Sequence, residues 1–330
     1  MDAINLKKRI YAKAQPQKIS CVSSQEAENT NNDISSKGQW CDCVYWNHTP
    51  FAVVLFGTGQ AQQHESSKHG CMCGSKHTGL QLYQEDAANT QTLIESVGLY
   101  GQSKLSIYKY KDEIAEDEEL ELIRSVDLPK KVFGEGATIY NGQWLYVLTW
   151  RERRVFVYDI HTLNLKKELK LPKQMREGWG LFYDDLYFHK FLATDGSDNV
   201  FFIDPSNFSV THKITVQMKI QQFKHGSQQK EIVQQSVTNL NELEVIHGWI
   251  VANIWHKKFI AIISPFNGYV YAILNCTHLY PRVQNSPEAV LNGIAYNSRS
   301  KRLILSGKFW PYFYEVETPG ILLGHLNTLQ

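Results

Sequence analysis

The stretch WLYVLTWRERRVFVYDI (residues 144–160) has the pattern of a β-hairpin, in which a short polar turn separates two apolar-rich runs. The chain contains four further stretches of this design: TLIESVGLYGQSKLSIYKY (92–110), FLATDGSDNVFFIDP (191–205), WIVANIWHKKFIAIISP (249–265) and RLILSGKFWPYFYEV (302–316). Successive hairpins begin between 47 and 58 residues apart. A repeat of about fifty residues with about four strands is typical of propeller blades. The sequence therefore predicts an all-β protein, a five-bladed β-propeller.

A shorter apolar element precedes each hairpin, and we expect it to form the innermost strand of the blade. These elements are TGLQLY (78–83), EGATIY (135–140), WGLFYD (179–184), NELEVI (241–246) and NGIAYN (292–297). The second residue is Gly in four of the five, with Glu242 as the exception. We call the first residue of each element the inner position. It is occupied by Thr78, Glu135, Trp179, Asn241 and Asn292.

Each hairpin has an equivalent site where its first strand runs into its turn, which we call the turn position. It is occupied by Ser96, Trp150, Asp195, Trp255 and Lys308. The turn position follows the inner position by 14 to 18 residues in every unit. Because equivalent sites of a closed ring converge on its axis, we expect these side chains to meet at one channel mouth. Their chemical diversity indicates a function, since a purely structural repeat would tend to carry similar small residues there.

Composition narrows the class of protein. The chain has 330 residues, 43% of them hydrophobic and 20% charged, with a formal net charge of +1 and no long basic block. These values disfavour binding to nucleic acid or to an anionic membrane surface. No apolar stretch is long enough to span a membrane, and the N-terminus lacks the apolar region of a signal peptide. The sequence as it stands favours a cytoplasmic location, or a secretory one if its N-terminus is incomplete.

Polar stretches suggest how the chain is divided. We expect residues 1–40 to be a disordered extension and residues 41–330 to form a single propeller domain, with insertions at 53–77 and 217–237. Two Cys-x-Cys pairs, at 41–43 and 71–73, lie near several histidines, so a zinc site is an alternative interpretation of that region. The spacing gives a cramped chelate, and we favour a thiol-bearing disordered insertion without bound metal.

Nine motifs, in order, resemble the plant and bacterial type of glutaminyl-peptide cyclotransferase, or glutaminyl cyclase. They are ESVGLYGQSKL (95–105), FGEG (133–136), LTW (148–150), VFVYD (155–159), EGWGL (177–181), LNELE (240–244), ANIW (252–255), LNGIAY (291–296) and SGKFWP (306–311). The resemblance implies a five-bladed propeller, in agreement with the repeat. It also implies that Glu135 is the catalytic acid, that Asn241 and Lys308 contact the substrate, and that some members hold calcium in the central channel. The implied aromatic box consists of Phe133, Trp150, Trp179 and Trp255.

Blade 1 departs from the family pattern. The family begins this blade with Phe-Thr-Gln-Gly-Leu, whose Phe and Gln join the site. Here Thr78 stands in place of the Gln, and the Phe has no secure counterpart. Thr78, Asp195 and Asn292 are therefore channel-lining candidates on their repeat position alone.

The resemblance implies an enzyme that converts the N-terminal glutamine of peptides or proteins to pyroglutamate, releasing ammonia and requiring no cofactor. Glu135 would transfer the proton. A non-catalytic propeller that binds peptides or proteins through its channel face is the alternative. A calcium-dependent lactonase is a third interpretation, disfavoured because Trp residues occupy three of the ring positions.

Overall fold

The computed structural model describes residues 9–12, 53–56, 77–84, 91–111, 120–223, 230–279, 287–310 and 312–324. Two short strands come first, β1 (Arg9–Ala12) and β2 (Val53–Phe56). Five blades follow, and the first three have four antiparallel strands each. Blade 1 comprises β3 (His77–Gln84), β4 (Gln91–Val97), β5 (Lys104–Tyr110) and β6 (Leu122–Asp127). Blade 2 comprises β7 (Gly134–Tyr140), β8 (Trp144–Thr149), β9 (Arg154–Asp159) and β10 (Leu165–Lys170). Blade 3 comprises β11 (Leu181–Asp184), β12 (Lys190–Thr194), β13 (Asn199–Asp204) and β14 (Ser209–Thr215).

The last two blades each recruit one of the early strands. Blade 4 comprises β17 (Leu240–Ile246), β18 (Trp249–Ile254), β19 (Phe259–Ile263) and β20 (Val270–Asn275), with β2 paired in parallel to β20. Blade 5 comprises β21 (Leu291–Asn297), β22 (Arg302–Gly307) and β23 (Tyr312–Glu317), and β1 completes it by antiparallel pairing with β23. A separate hairpin of β15 (Gln217–Phe223) and β16 (Lys230–Ser236) lies between blades 3 and 4. A 3₁₀ turn (Thr277–Leu279) and one short helix, α1 (Gly320–Leu323), are the described helical segments.

The predicted five-bladed ring is confirmed, because the innermost strands contact one another in a closed circuit. β3 contacts β7, β7 contacts β11, β11 contacts β17, β17 contacts β21, and β21 returns to β3. The glycine pattern follows from this crowding. A Cβ at Gly136 would lie 2.4 Å from the backbone nitrogen of Leu181, and one at Gly180 would lie 2.2 Å from the carbonyl oxygen of Asn241.

Five apolar clusters hold the ring together, one at each blade interface. For example, Leu80 and Leu93 of blade 1 pack with Ile304 and Phe313 of blade 5, which seals the junction between the last blade and the first. The other four clusters join blades 1 and 2, 2 and 3, 3 and 4, and 4 and 5. Since both faces of each blade meet a neighbour, the middle strands are long apolar runs rather than strict alternations.

Several predictions about chain organisation fall partly outside the described residues. Within 1–40 the structure describes only Arg9–Ala12, which form β1. Within 53–77 it describes β2 and His77, and the Cys-x-Cys pairs lie outside the described residues. The stretch 217–237, which we expected to be a polar insertion, contains the hairpin β15–β16, a sheet separate from the blades. No helix in the described part of the chain is long and apolar enough to cross a membrane.

Candidate active site

β-Bulges at the inner position shape one end of the ring. In β7, Glu135 and Gly136 together face a single residue of β8, because Gly134 pairs with Thr149 and Ala137 with Val147. In β17, Asn241 interrupts the pairing in the same way, and β3 and β21 carry equivalent irregularities. A bulge redirects its side chains and interrupts regular pairing. The bulges in β7 and β17 lie at Glu135 and Asn241, which line the channel mouth, whereas those in β3 and β21 lie at Thr78 and Asn292, which are buried outside it.

Backbone hydrogen bonds join the turn position to the inner position. The Trp150 N–H donates to the Phe133 carbonyl at 3.0 Å, and the Trp255 N–H donates to the Asn239 carbonyl at 2.8 Å. The Lys308 N–H makes the equivalent bond to Val290 at 2.8 Å. In each case the acceptor lies two residues before the inner position. The ladder thus holds the two kinds of predicted site residue side by side in blades 2, 4 and 5.

One cavity of about 570 Å³ opens at this end of the ring and contains most of the predicted site. It is lined by Phe133, Glu135, Trp150, Trp179, Asp195, Asn241, Trp255 and Lys308, which sequence reasoning had singled out. Further lining residues are Arg151, Arg176, Glu177, Gly196, Asn239 and Glu288. The structure therefore brings the carboxyl, the three indoles and the amide–ammonium pair together.

Two of the candidates do not line this cavity in the described part of the chain. Thr78 is fully buried, and its hydroxyl donates to the Ser96 carbonyl oxygen at 3.2 Å. Asn292 is also buried, in β21, at the equivalent place in blade 5. Blade 1 contributes no described lining residue at all.

Glu135 is the chemical centre of the cavity. Its side chain is buried, and its Oε2 has no hydrogen-bond partner among the described residues. Burial raises the pKa of this carboxyl to about 8; the Lys308 ammonium works against the rise, and the Glu177 and Glu152 carboxylates add to it. A carboxyl with such a pKa can both take up and give back a proton near neutral pH.

Aromatic rings form the walls around Glu135. The rings of Phe133 and Trp150 lie 5.5 Å apart, and those of Trp179 and Trp255 meet edge to face at 5.6 Å. The Lys308 Nζ lies 6.0 Å from the centre of the Phe133 ring. Such rings give a flat apolar enclosure of defined shape.

A single glycine makes room for one of these walls. Gly196 has φ +75°, and a Cβ there would approach the Trp179 ring to 2.6 Å. The left-handed backbone and the missing side chain together let Trp179 lie against the turn that follows β12.

Two further buried polar atoms, both on residues that line the cavity, have no partner among the described residues. Asn241 Oδ1 is a buried acceptor in this state, and Trp255 Nε1 is a buried donor. Native proteins rarely leave buried polar atoms unsatisfied, so atoms of this kind in a cavity indicate ligand contacts.

The Asp195 carboxylate, by contrast, accepts hydrogen bonds from backbone groups close to it. Its carboxylate accepts from the backbone N–H of Arg176 at 2.9 Å and from the backbone N–H of Ser197 at 3.1 Å. The Arg176 Nε also lies 3.9 Å from Asp195 Oδ2. These contacts fix the turn of blade 3 at the edge of the cavity, and they commit Asp195 to shaping that loop.

Sequence reasoning missed Glu177. One oxygen of this carboxylate accepts from the indole N–H of Trp150 at 2.6 Å and from that of Trp179 at 2.9 Å. The other oxygen lies 3.6 Å from Arg151 Nε. Glu177 occupies neither repeat position, and the one signal that could have found it is the EGWGL motif in which it stands.

For the calcium that the resemblance implies, the described part of the chain offers no cluster of acidic side chains. The described residues contain no group of three or more His, Cys, Asp or Glu that could hold a metal ion. In the channel, Glu242 Oε2 accepts from the Ile294 N–H at 2.8 Å, and Glu244 Oε2 accepts from the Tyr296 N–H at 3.3 Å. Calcium takes six to eight oxygen ligands, whereas these carboxylates are already engaged with the backbone.

Taken together, fold and cavity define a class. It is a five-bladed propeller whose cavity at one end of the channel holds a lysine, a box of indoles and a buried carboxyl with an oxygen that has no partner among the described residues. Comparison with known proteins gives the family. The family model described as glutamine cyclotransferase matches residues 78–318, and the chain belongs to this family.

Two relatives illustrate the similarity. The chain is 32% identical over 236 residues to the glutaminyl-peptide cyclotransferase of Arabidopsis thaliana. The aligned region covers 70% of this chain and 64% of that protein. It thus spans less than two thirds of the length of this relative. The crystal structure of Myxococcus xanthus glutaminyl cyclase matches with a TM-score of 0.57 at 28% identity, over 74% of this chain and 90% of that one.

Proposed function

We propose that this protein is a glutaminyl-peptide cyclotransferase that closes the N-terminal glutamine of peptides or proteins to pyroglutamate and releases ammonia. The observation that carries the proposal is the Glu135 carboxyl, buried with an unpartnered oxygen beside Lys308 and the indole box. The names of the relatives and the family support the same reaction.

The first requirement of the reaction is that the glutamine side chain of the substrate is held in a curled conformation. The substrate α-amine attacks its own γ-carboxamide carbon, so the protein has to hold one side chain curled rather than gather two molecules. Trp150, Trp179 and Trp255 enclose the aliphatic part of the glutamine and exclude its extended rotamers. The cavity is open on its outer side, where Arg151 and Arg176 are exposed, which leaves room for the rest of a peptide chain.

Glu135 moves the proton. An α-amine has a pKa of about 8, so near neutral pH it is largely an ammonium group. This group first loses one proton to water, and the neutral amine is the form that reacts. The Glu135 carboxylate takes a proton from this nitrogen as the nitrogen bonds to the amide carbon. The resulting carboxylic acid then gives the proton to the departing nitrogen, which leaves as ammonia while the C–N bond breaks. Glu135 ends as a carboxylate, and the lactam remains.

Lys308, Asn241 and Trp255 provide the polar contacts. The carboxamide oxygen gains negative charge in the tetrahedral state, and the Lys308 ammonium stabilises that charge from within the cavity. The unpartnered Asn241 Oδ1 suits an N–H group of the substrate, and the unpartnered Trp255 N–H suits one of its carbonyl oxygens. We propose that no metal or cofactor takes part, because these side chains supply both the proton transfer and the charge stabilisation.

The test is a direct assay. Purified protein is incubated with a glutamine-initiated dipeptide amide, and both ammonia release and the mass of the cyclised product are followed. We expect turnover that withstands a metal chelator and that collapses in Glu135→Gln. Full activity in this variant would remove Glu135 from the mechanism, and loss of activity with chelator would overturn the metal-free proposal.

One observation favours the alternative of a non-catalytic, peptide-binding propeller. Thr78 replaces a family glutamine, its hydroxyl is satisfied by Ser96, and blade 1 supplies no described wall of the cavity. The same assay decides between the two. A well-folded protein that binds the dipeptide amide but releases no ammonia would establish the alternative.

A further inference from the structure

We infer that Glu177 is a positioning residue that sets the orientation of two of the three indoles of the substrate box. This inference rests on the proposed function, because the box matters only if it holds a substrate. Glu177 lies in the segment between β10 and β11, and it lines the cavity without being part of any strand.

The geometry is a shared acceptor. The indole N–H groups of Trp150 and Trp179 both donate to Glu177 Oε2, at 2.6 Å and 2.9 Å. An indole has two side-chain torsions, and a fixed partner for its N–H removes most of the freedom of its ring plane. Since both N–H groups converge on one oxygen, the planes of the two rings are also fixed relative to each other.

This contact joins two blades. Trp150 follows β8 of blade 2, whereas Trp179 precedes β11 of blade 3. The Arg151 Nε lies 3.6 Å from Glu177 Oε1, and the Arg151 guanidinium stacks at 4.0 Å over the Trp150 ring. The carboxylate is therefore held from its other side, which keeps the shared oxygen in place between the blades.

The third indole is held differently. Trp255 meets Trp179 edge to face at 5.6 Å, and its own N–H has no partner among the described residues. Trp179 is thus the link through which Glu177 also influences Trp255. Two of the box N–H groups are used to set the shape of the site, and one remains available to the substrate.

The charge of Glu177 has a separate effect. Three charged groups act on Glu135: Lys308 lowers its pKa, and Glu177 and Glu152 raise it. Replacing the Glu177 carboxylate by a neutral acceptor should therefore lower the pKa of Glu135 while leaving the indole contacts in place.

Two variants separate the acceptor from the charge. Glu177→Gln keeps an acceptor oxygen, and Glu177→Leu removes it at similar volume. Glu168→Gln is the matched control, an exposed acid of blade 2 that pairs with Arg154 outside the cavity. Each is assayed for kcat and KM between pH 6 and 10, checked by thermal melting, and examined by NMR of the ¹⁵N-labelled indole Nε1–H groups.

We expect Glu177→Leu to lower kcat/KM roughly tenfold to a hundredfold, the loss that one to two hydrogen bonds to a charged acceptor predict. The indole resonances of Trp150 and Trp179 should both move, whether or not substrate is present. Glu177→Gln should lose less kcat/KM than Glu177→Leu, retain both resonances close to their original shifts, and displace the low-pH limb of kcat/KM towards lower pH.

Several results would overturn the inference. Unmoved Trp150 and Trp179 resonances in folded Glu177→Leu would do so, as would kcat/KM equal to that of the Glu168→Gln control. Equal losses of kcat/KM in Glu177→Gln and Glu177→Leu would show that the charge of Glu177 matters and the shared acceptor does not. If the parent protein forms no pyroglutamate, the proposed function fails, and the indole resonances of the ligand-free variants still decide whether Glu177 orients the box.

Discussion

Glu135 and Glu242 are two buried carboxyls on inner strands of the same channel, and they differ in what surrounds them. Burial raises the pKa of both. Glu242 accepts hydrogen bonds from the backbone N–H groups of Ile294 and Leu80, so it joins blade 4 to blades 5 and 1. Glu135 has an oxygen with no partner among the described residues. The two carboxyls thus share a raised pKa but differ in hydrogen bonding, and only Glu135 lines the cavity in the described part of the chain. This difference is the reason why we propose a catalytic role for Glu135 and a structural role for Glu242.

Two other polar side chains of the inner strands also make contacts between blades, as Glu242 does. The Gln81 side chain accepts from the Ile139 N–H at 2.7 Å, and Thr138 accepts from the Tyr183 N–H at 2.9 Å. Each of these contacts runs from one inner strand to the next blade. These channel side chains thus hold neighbouring blades together. At the mouth, by contrast, Glu135 Oε2, Asn241 Oδ1 and Trp255 Nε1 have no partner among the described residues.

The largest expected effect is the loss of kcat/KM on replacing Glu135, which should distinguish this carboxyl from Glu242. Glu135→Gln should lower kcat/KM for a glutamine-initiated peptide by about 10²–10⁴, the usual worth of a positioned proton-transfer group. Glu242→Gln should leave kcat/KM essentially unchanged, because the amide oxygen still accepts from the backbone. Both are measured by ammonia release. Comparable losses of kcat/KM in the two variants would contradict the different roles proposed for Glu135 at the channel mouth and Glu242 within the channel.

Lys308→Met should have the next largest effect, a loss of about 10²–10³ in kcat, because the tetrahedral state loses its stabilising charge. Since Lys308 lowers the pKa of Glu135, its removal should also raise that pKa. The low-pH limb of kcat/KM would then move to higher pH. A limb that stays in place would place Lys308 too far from Glu135 to act on it.

Trp255→Phe should have a smaller effect, because it keeps an aromatic wall and removes one donor. We expect a loss of about threefold to tenfold in kcat/KM, mostly in KM, as for one neutral hydrogen bond. Trp255→Leu is the comparison and should lose more, since it removes the wall as well. If kcat/KM of Trp255→Phe equals that of the parent, the indole N–H of Trp255 has no role in substrate binding.

The smallest effect concerns stability and belongs to Glu242. Its pKa is raised on folding, so the folded state binds more protons than the unfolded state, and stability falls as pH rises above the unfolded value. Each unit of pKa shift is worth about 1.4 kcal/mol. Glu242→Gln removes this penalty, and its gain in melting temperature over the parent should therefore grow from pH 5.5 to pH 8.5. A gain that stays constant over this range would mean that the Glu242 carboxyl is charged in the fold.

The repeat predicted the ring and most of the cavity because backbone periodicity places equivalent residues together. It also selected Thr78 and Asn292, which do not line the cavity in the described structure, since the repeat fixes where a Cα lies and not where its side chain points. Glu242 breaks the glycine pattern because its carboxylate bonds to blades 5 and 1, a contact that no local pattern encodes. Glu177 lies between strands and outside the repeat, so only its three-dimensional contacts with two indoles identify it.

The strand pairing at the outer edges of blades 4 and 5 was also beyond sequence reasoning. β1 completes blade 5 from the far end of the chain, and β2 adds to blade 4 in parallel. Both segments are four residues long, too short for alternation to distinguish them from a loop.

The protonation of Glu135 in the ligand-free protein is the most direct measure of the central claim. Carboxyl ¹³C resonances of glutamate-labelled protein are followed from pH 3 to 10 in the parent and in Glu135→Gln. One resonance, absent from the variant, should titrate near pH 8, where burial places the pKa of this carboxyl. If that resonance titrates between about pH 4 and 5, as for an exposed glutamate, Glu135 is not the proton-transfer group described here.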